Sequence, residues 1–324
     1  MKRWMVRIVS PVVGIALLAM TGCAPADTPA PDADAQPEPT RIVVADASTT
    51  HHLNLYVAQE LGFFEERNLE VEIVKAEDLA ASRDAVVSGR ADIFWSCPTV
   101  AIAAIANGAP LKTIAQVKTP CTSVLLVSAD SPIETYADLD GKSIAGISPT
   151  CEAVIAYSQK VRAAGAEFNL EKLAGGPAVM ALEAGQIDGA ILEEPHASIA
   201  ELKGFRIVLP ETAAEIACRT INVRTAFLEN NADAAKRFIE AVDEANALIA
   251  ADPVADRIVE IAAQYTGAPE DAIRNGNARL LFTTAIQVEG LSALADELVA
   301  LENIRENPGT TMFAEEFRGI TWNE

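Results

Sequence analysis

Strand-like and helix-like segments alternate along the first half of the chain, and that alternation restricts the fold more than any other feature. Arg41 to Ala45 and Glu70 to Val74 read as buried strands, and Leu53 to Glu66 between them carries apolar residues at helical spacing. Ala76 to Ser88 reads as a second helix and Ala91 to Trp95 as a third strand. Strands joined through helices form mainly parallel sheets covered on both faces, so an α/β architecture is expected. The pattern changes after Ala226: Asn231 to Leu301 reads as helices only, broken at Asp252-Pro253 and Gly267-Ala268-Pro269.

One junction occurs twice. Ser88-Gly89-Arg90-Ala91-Asp92 precedes the apolar run Ile93-Phe94-Trp95, and Ala184-Gly185-Gln186-Ile187-Asp188 precedes Gly189-Ala190-Ile191-Leu192. In each copy a helix ends at a glycine able to take the left-handed C-cap conformation, and a strand follows the aspartate. Each strand then stops at a proline, Pro98 or Pro195, whose missing N–H cannot extend a ladder. Similar units in separate halves predict two similar lobes. Arg41 to Glu324 is also near the length at which single cores stop growing.

The N-terminal segment predicts export. Lys2, Arg3 and Arg7 precede a largely apolar run of 13 residues, Ile8 to Met20, a length that suits a signal-peptide core and is too short to span a bilayer. Met20-Thr21-Gly22-Cys23 resembles a lipoprotein signal-peptidase site, with Met20 in place of the more usual leucine and Cys23 as the expected lipidated residue. Residues 1–22 are thus read as signal peptide and 23–40 as a lipid-bearing tether, rich in proline and without a large apolar residue. At about 3.1 Å per residue such a tether reaches up to about 50 Å. A net charge of −21 argues against nucleic acid and against an anionic membrane surface as direct partners.

The loops expected at the strand ends concentrate the reactive side chains. They are Ser48-Thr49-Thr50-His51-His52, Ser96-Cys97-Pro98-Thr99, Thr119-Pro120-Cys121-Thr122, Ser148-Pro149-Thr150-Cys151-Glu152 and Glu193-Glu194-Pro195-His196. All three histidines, and three of the four cysteines after Cys23, fall in them. Imidazole, thiolate and carboxylate together suit zinc, copper(I) or a related soft ion, with His52, Cys97, Cys121 and Cys151 as candidate ligands. No Cys-x-x-Cys or His-Glu-x-x-His spacing is present, so folding must assemble any such site. Two other readings stay open for the thiols: disulfides, for example Cys97 with Cys121, or buried thiols lining an organic-ligand pocket. Cys218 reads as a packing residue.

Leu55-Tyr56-Val57-Ala58-Gln59-Glu60-Leu61-Gly62-Phe63-Phe64, followed by Leu69-Glu70-Val71-Glu72-Ile73-Val74, resembles the opening of substrate-binding proteins of nitrate, sulfonate, taurine and pyrimidine-precursor ABC importers. Gly108-Ala109-Pro110-Leu111-Lys112, Asp138-Leu139-Asp140-Gly141-Lys142, Gly185-Gln186-Ile187-Asp188 with Glu194-Pro195, and Phe227-Leu228-Glu229-Asn230 extend the resemblance over nearly all of residues 41–324. It implies a type II, two-lobe periplasmic-binding-protein fold with mainly parallel sheets. Residues 41–125 and 220–324 would form lobe one, with the C-terminal helical segment packed on it, and 126–219 lobe two. The connecting strands would be Thr122 to Ser128 and Arg219 to Val223.

The resemblance further implies a small-molecule ligand held between the lobes, where loops beyond the carboxyl ends of strands meet helix N-termini. The expected contacts are His52, Ser96, Cys97, Cys121, Thr150, Cys151 and Glu194. His52 stands four residues before Tyr56, as in similar pyrimidine-precursor binders. The expected partners are ABC permease and ATPase subunits, and the expected location is the periplasmic or cell-surface side of a membrane. No catalytic residue and no obligatory cofactor are expected, a soft metal ion being the one candidate. Because the loops offer carboxylates rather than cations, a nitrogen-rich, pyrimidine-like ligand is favoured over a sulfonate. Two alternatives remain: a soft-metal-binding lipoprotein, and an enzyme, because the fungal-type pyrimidine-precursor synthases have a similar fold and use His and Cys residues with iron.

Overall fold

The two copies of the glycine–aspartate junction occupy the same place in two five-stranded sheets. The computed structural model describes residues 38–118, 120–213 and 216–323; the expected signal peptide and lipid-bearing Cys23 lie outside them. The chain runs β1 (Thr40–Asp46), α1 (Leu53–Glu60), β2 (Leu69–Lys75), α2 (Leu79–Val87), β3 (Ile93–Ser96), α3 (Pro98–Ala106) and β4 (Leu111–Lys118). It continues through β5 (Val124–Val127), β6 (Ser143–Gly146), α4 (Glu152–Ala163), β7 (Asn169–Lys172), α5 (Gly175–Glu183), β8 (Gly189–Leu192), α6 (His196–Leu202) and β9 (Arg206–Val208). Then come β10 (Cys218–Arg224), the long α7 (Thr225–Ala251), α8 (Asp256–Thr266), α9 (Glu270–Gly276) and α10 (Val288–Ala300).

The first sheet has the order β2-β1-β3-β10-β4 and the second β7-β6-β8-β5-β9. In each, three neighbouring strands run parallel and the fourth is antiparallel to both its neighbours. β3 and β8, the strands of the repeated junction, both stand third. Gly89 (φ +78°) and Gly185 (φ +65°) take the left-handed conformation that ends their helices. Asp92 accepts a hydrogen bond from the Val43 amide at 3.0 Å, and Asp188 from the Ser143 amide at 2.9 Å. Each aspartate therefore ties the third strand to the second, a duty that accounts for its place in the repeat.

Several sequence expectations need correction. β2 is not buried on both faces: Glu70 and Glu72 are exposed between buried Leu69 and Val71, the alternation of an edge strand. Residues 122–128 and 219–223 do not bridge the two halves as strands. β5 lies inside the second sheet and β10 inside the first, and the chain crosses just before each of them. β1 starts at Thr40, the last residue assigned to the tether. Ile286–Gln287, within a stretch expected to be helical throughout, pairs in parallel with Trp322–Asn323.

The principal core joins the first sheet to the C-terminal helices. Ile42, Val44, Ile93, Trp95 and Ile221 pack with Phe238, Val242, Ile249 and Ile261. Phe64 stacks on Phe238 with centroids 4.8 Å apart, and Trp95 meets Phe238 edge-on at 5.7 Å. The C-terminal segment also reaches the other half: Arg279 pairs with Glu194 and Glu201, both at 2.6 Å. No helix among the described residues is long and apolar enough to cross a membrane.

Candidate functional site

Between the sheets lie two adjoining hollows, of about 380 and about 470 Å³, within the size range of small-molecule sites. Both are lined by Ala47, Thr49, Cys97, Ile147, Cys151, Ala174 and Glu193. These residues follow β1, β3, β6, β7 and β8, so the hollows stand beyond the carboxyl ends of strands from both sheets. The N-terminal turns of α4 and α5 open there too, and their first amides have no intrahelical acceptor. Ile147 is 46% exposed at this surface, an apolar side chain left for a ligand or for closure to cover.

The structure brings some expected residues to the cleft and sets others behind it. Cys97 and Cys151 line both hollows, Thr150 lines the larger and His196 the smaller. Ser96 is fully buried, donating to the Cys97 carbonyl at 3.0 Å and accepting from Asn222 at 3.2 Å. Neither Ser96, His52, Cys121 nor Glu194 lines the hollows. His52 is fully buried beside Trp95, and its Nδ1 lies 2.6 Å from Asp46 Oδ1.

Burial would raise Asp46, but hydrogen bonds from His52, Tyr56 and the Ser48 amide outweigh it and hold the carboxyl below its usual range. Burial lowers His52 despite Asp46. The ionised carboxylate therefore accepts from Nδ1–H, and the Nε2 lone pair of neutral His52 is buried with no partner. His51 is fully buried with neither ring nitrogen hydrogen-bonded. Burial, with Lys118 and Arg219, lowers it well below the ordinary imidazole value.

Glu194 holds structure together rather than facing the cleft. Its carboxylate, 2% exposed, pairs with Arg279 and accepts from the Ser198 amide at 3.2 Å. Gly276 makes room for it: a Cβ there would lie 2.4 Å from Glu194 Oε2 and 2.6 Å from Ser198 Oγ. The substitution Gly276→Ala is expected to cost about 1–3 kcal/mol through overpacking against an immobilised ion pair. Urea unfolding checks this, and an unchanged midpoint would show that the pair can move aside.

Sequence reasoning missed the cation of the cleft. Arg219, fully buried at the start of β10, lines the larger hollow. It donates to Cys97 Sγ at 3.2 Å and pairs with Glu193 Oε2 at 2.5 Å. The available signal was an arginine at the start of a strand expected to be buried, Arg219-Thr220-Ile221-Asn222-Val223. Glu193 comes from the second sheet and is 34% exposed, so one ion pair spans the two halves.

The cysteines group differently from the expected set. Cys97 stands beside Cys151, not Cys121, and Cys121 beside Cys218, the sulfurs of each pair within 4.8 Å; all four are free. The neighbouring Cys218 thiol and the Lys118 ammonium draw the Cys121 thiol down to about 7, against burial. Burial and the Cys121 thiol beside it push Cys218 well up. Cys97, Cys151 and Glu152 place one donor atom each within 4.8 Å of one another, and so do Cys121, Cys218 and Glu152. His52 belongs to neither group, because Asp46 holds its ring elsewhere; Cys218 packs in the core of the second half, as expected, and also donates to Glu152 Oε1 at 3.6 Å.

The comparisons with known proteins agree with this architecture. A family model described as NMT1/THI5 like matches residues 49–256. A 4-amino-5-hydroxymethyl-2-methylpyrimidine phosphate synthase of Aspergillus parasiticus is 25% identical over 225 residues, covering 64% of this chain and 66% of that protein. The Saccharomyces cerevisiae synthase THI5 is 24% identical over 227 residues, covering 64% of this chain and 65% of its own length. The chain thus spans a little under two thirds of the length of these curated relatives.

Among solved structures, the aliphatic sulphonate binding protein SsuA of Escherichia coli superposes with a TM-score of 0.73 at 20% identity, covering 84% of this chain and 90% of that one. SsuA of Xanthomonas axonopodis pv. citri, bound to MOPS, gives 0.71 at 19%, covering 84% and 96%. These likenesses establish the two-lobe periplasmic-binding-protein fold. With the family model spanning well over half of its length, the chain belongs to the NMT1/THI5-like family.

Proposed function

We propose that the chain is the solute receptor of an ABC importer, closing its two halves over a small organic molecule. The observation that carries this is the pair of adjoining hollows, lined by residues that follow strands of both sheets. Such a geometry binds by hinge closure, driven by the ligand's preference for the closed form. In this reading the protein works on the outer side of a membrane, tethered through Cys23, and delivers its cargo to permease and ATPase subunits.

Two ligand chemistries fit the lining. The Glu193 carboxylate accepts from an amino group, which suits aminopyrimidines. Arg219 and the first amides of α4 and α5 donate to an oxyanion, which restores the sulfonates that the loop composition alone had demoted. A thermal-shift screen of both classes tests the reading. A ligand at about 100 times its dissociation constant should add about 2.7 kcal/mol, and X-ray scattering should show a more compact molecule with it. No stabilisation by either class, or identical scattering with a bound ligand, would remove the receptor reading. Conversion of a bound pyrimidine into a new product would decide for a synthase instead.

A further inference from the structure

We propose that the two cysteine pairs and Glu152 form a binding site for thiophilic cations of the zinc and copper(I) kind, in two halves that share the Glu152 carboxylate. This goes beyond the receptor reading and does not rest on it. Each half offers two sulfurs and a carboxylate oxygen, and the mutual spacing within 4.8 Å suits donors arranged around one ion. Glu152 is 2% exposed; Oε1 lies 3.6 Å from Cys218 Sγ, while Oε2 has no hydrogen-bond partner. A buried carboxylate oxygen left unsatisfied is costly, and a cation on it removes that cost.

The surrounding charges also fit. Two thiolates and a carboxylate carry three negative charges; a divalent ion returns two, and in the first half the Arg219 guanidinium, shared with Glu193, offsets the third. Lys118 plays the corresponding part beside Cys121. Cys97 and Cys151 line the cleft, so the outer half is reachable from solvent. Cys97 follows β3 of the first sheet, whereas Cys151 and Glu152 follow β6 of the second. An ion in this half would therefore join the two lobes.

The test uses the whole chain, reduced, stripped with chelator and titrated with Cd²⁺ alone. Sulfur-to-cadmium absorption should appear and saturate at one or two equivalents. The double substitution Cys97→Ser/Cys151→Ser should remove part of it, and Glu152→Gln should weaken binding at least tenfold. X-ray absorption on the zinc-loaded, unmutated chain avoids any folding defect of the variants. It should show sulfur neighbours at about 2.3 Å. A shell of nitrogen and oxygen alone, no cadmium absorption in a chain whose Cys97, Cys121, Cys151 and Cys218 thiols titrate after denaturation, or thiol pairs that stay oxidised under reductant would each overturn the proposal.

Discussion

Replacing Phe238 with alanine is expected to lower the unfolding free energy by about 3–5 kcal/mol, among the largest effects available to one substitution in this molecule. The ring is fully buried where α7 crosses the first sheet, stacked on Phe64 and touched edge-on by Trp95. Alanine would forfeit the transfer energy of the ring and leave a cavity between groups that are themselves packed. Each aromatic pair adds about 0.5–1.5 kcal/mol beyond area alone. Urea denaturation at neutral pH measures the loss, and Phe238→Leu should recover much of it. A cost below about 1 kcal/mol would mean that the C-terminal helices are not an integral part of the first core.

Mild acid should destabilise the protein before its carboxylates titrate. His51 and His52 are buried and lowered in the folded chain, whereas in the unfolded chain each returns to about 6.5. A depressed folded value means that the unfolded state binds protons first. Their contribution is therefore fully present above about pH 6.5 and is lost as the pH falls toward the folded values, at up to about 1.4 kcal/mol per pH unit for each ring. The groups facing them are Lys118, Arg219 and Glu193 around His51, and Asp46, Arg219 and Glu193 around His52. Asp46, also lowered, acts in the same direction further down the scale: its contribution is present above the ordinary carboxylate value and is lost as the pH falls through its folded one. Urea midpoints between pH 7.5 and 4.5 check this. His51→Gln should remove about half of the slope, and a flat profile down to pH 5 would show that the rings are charged in the fold.

What the sequence disclosed was local. The Gly89 and Gly185 caps, the aspartates after them and the prolines that follow β3 and β8 are short-range devices, and they gave away the twofold plan of the sheets. Cys97, Thr150 and Cys151 follow strands of that plan, which is why they reach the cleft. Arg219 was missed as a cleft residue, and Glu152 and Cys218 as neighbours of each other and of Cys121, because the partners Cys97, Cys218 and Cys121 lie 122, 66 and 97 positions away. His52 shows the complementary limit. Its spacing from Tyr56 put both on one helical face, and both bind Asp46, but spacing cannot say whether that face looks toward the cleft or into the core.

The strand order also dictates when each half of the molecule can be finished. The second sheet draws its strands only from residues 124–208, one unbroken stretch, so its strand pairing needs no later strand. The first has a slot between β3 and β4 that only β10 can fill. A chain emerging from the ribosome, or threading through a translocation pore, thus leaves two strand edges unpaired until residues 218–224 arrive, and throughout that interval the earlier half is the one open to misassociation.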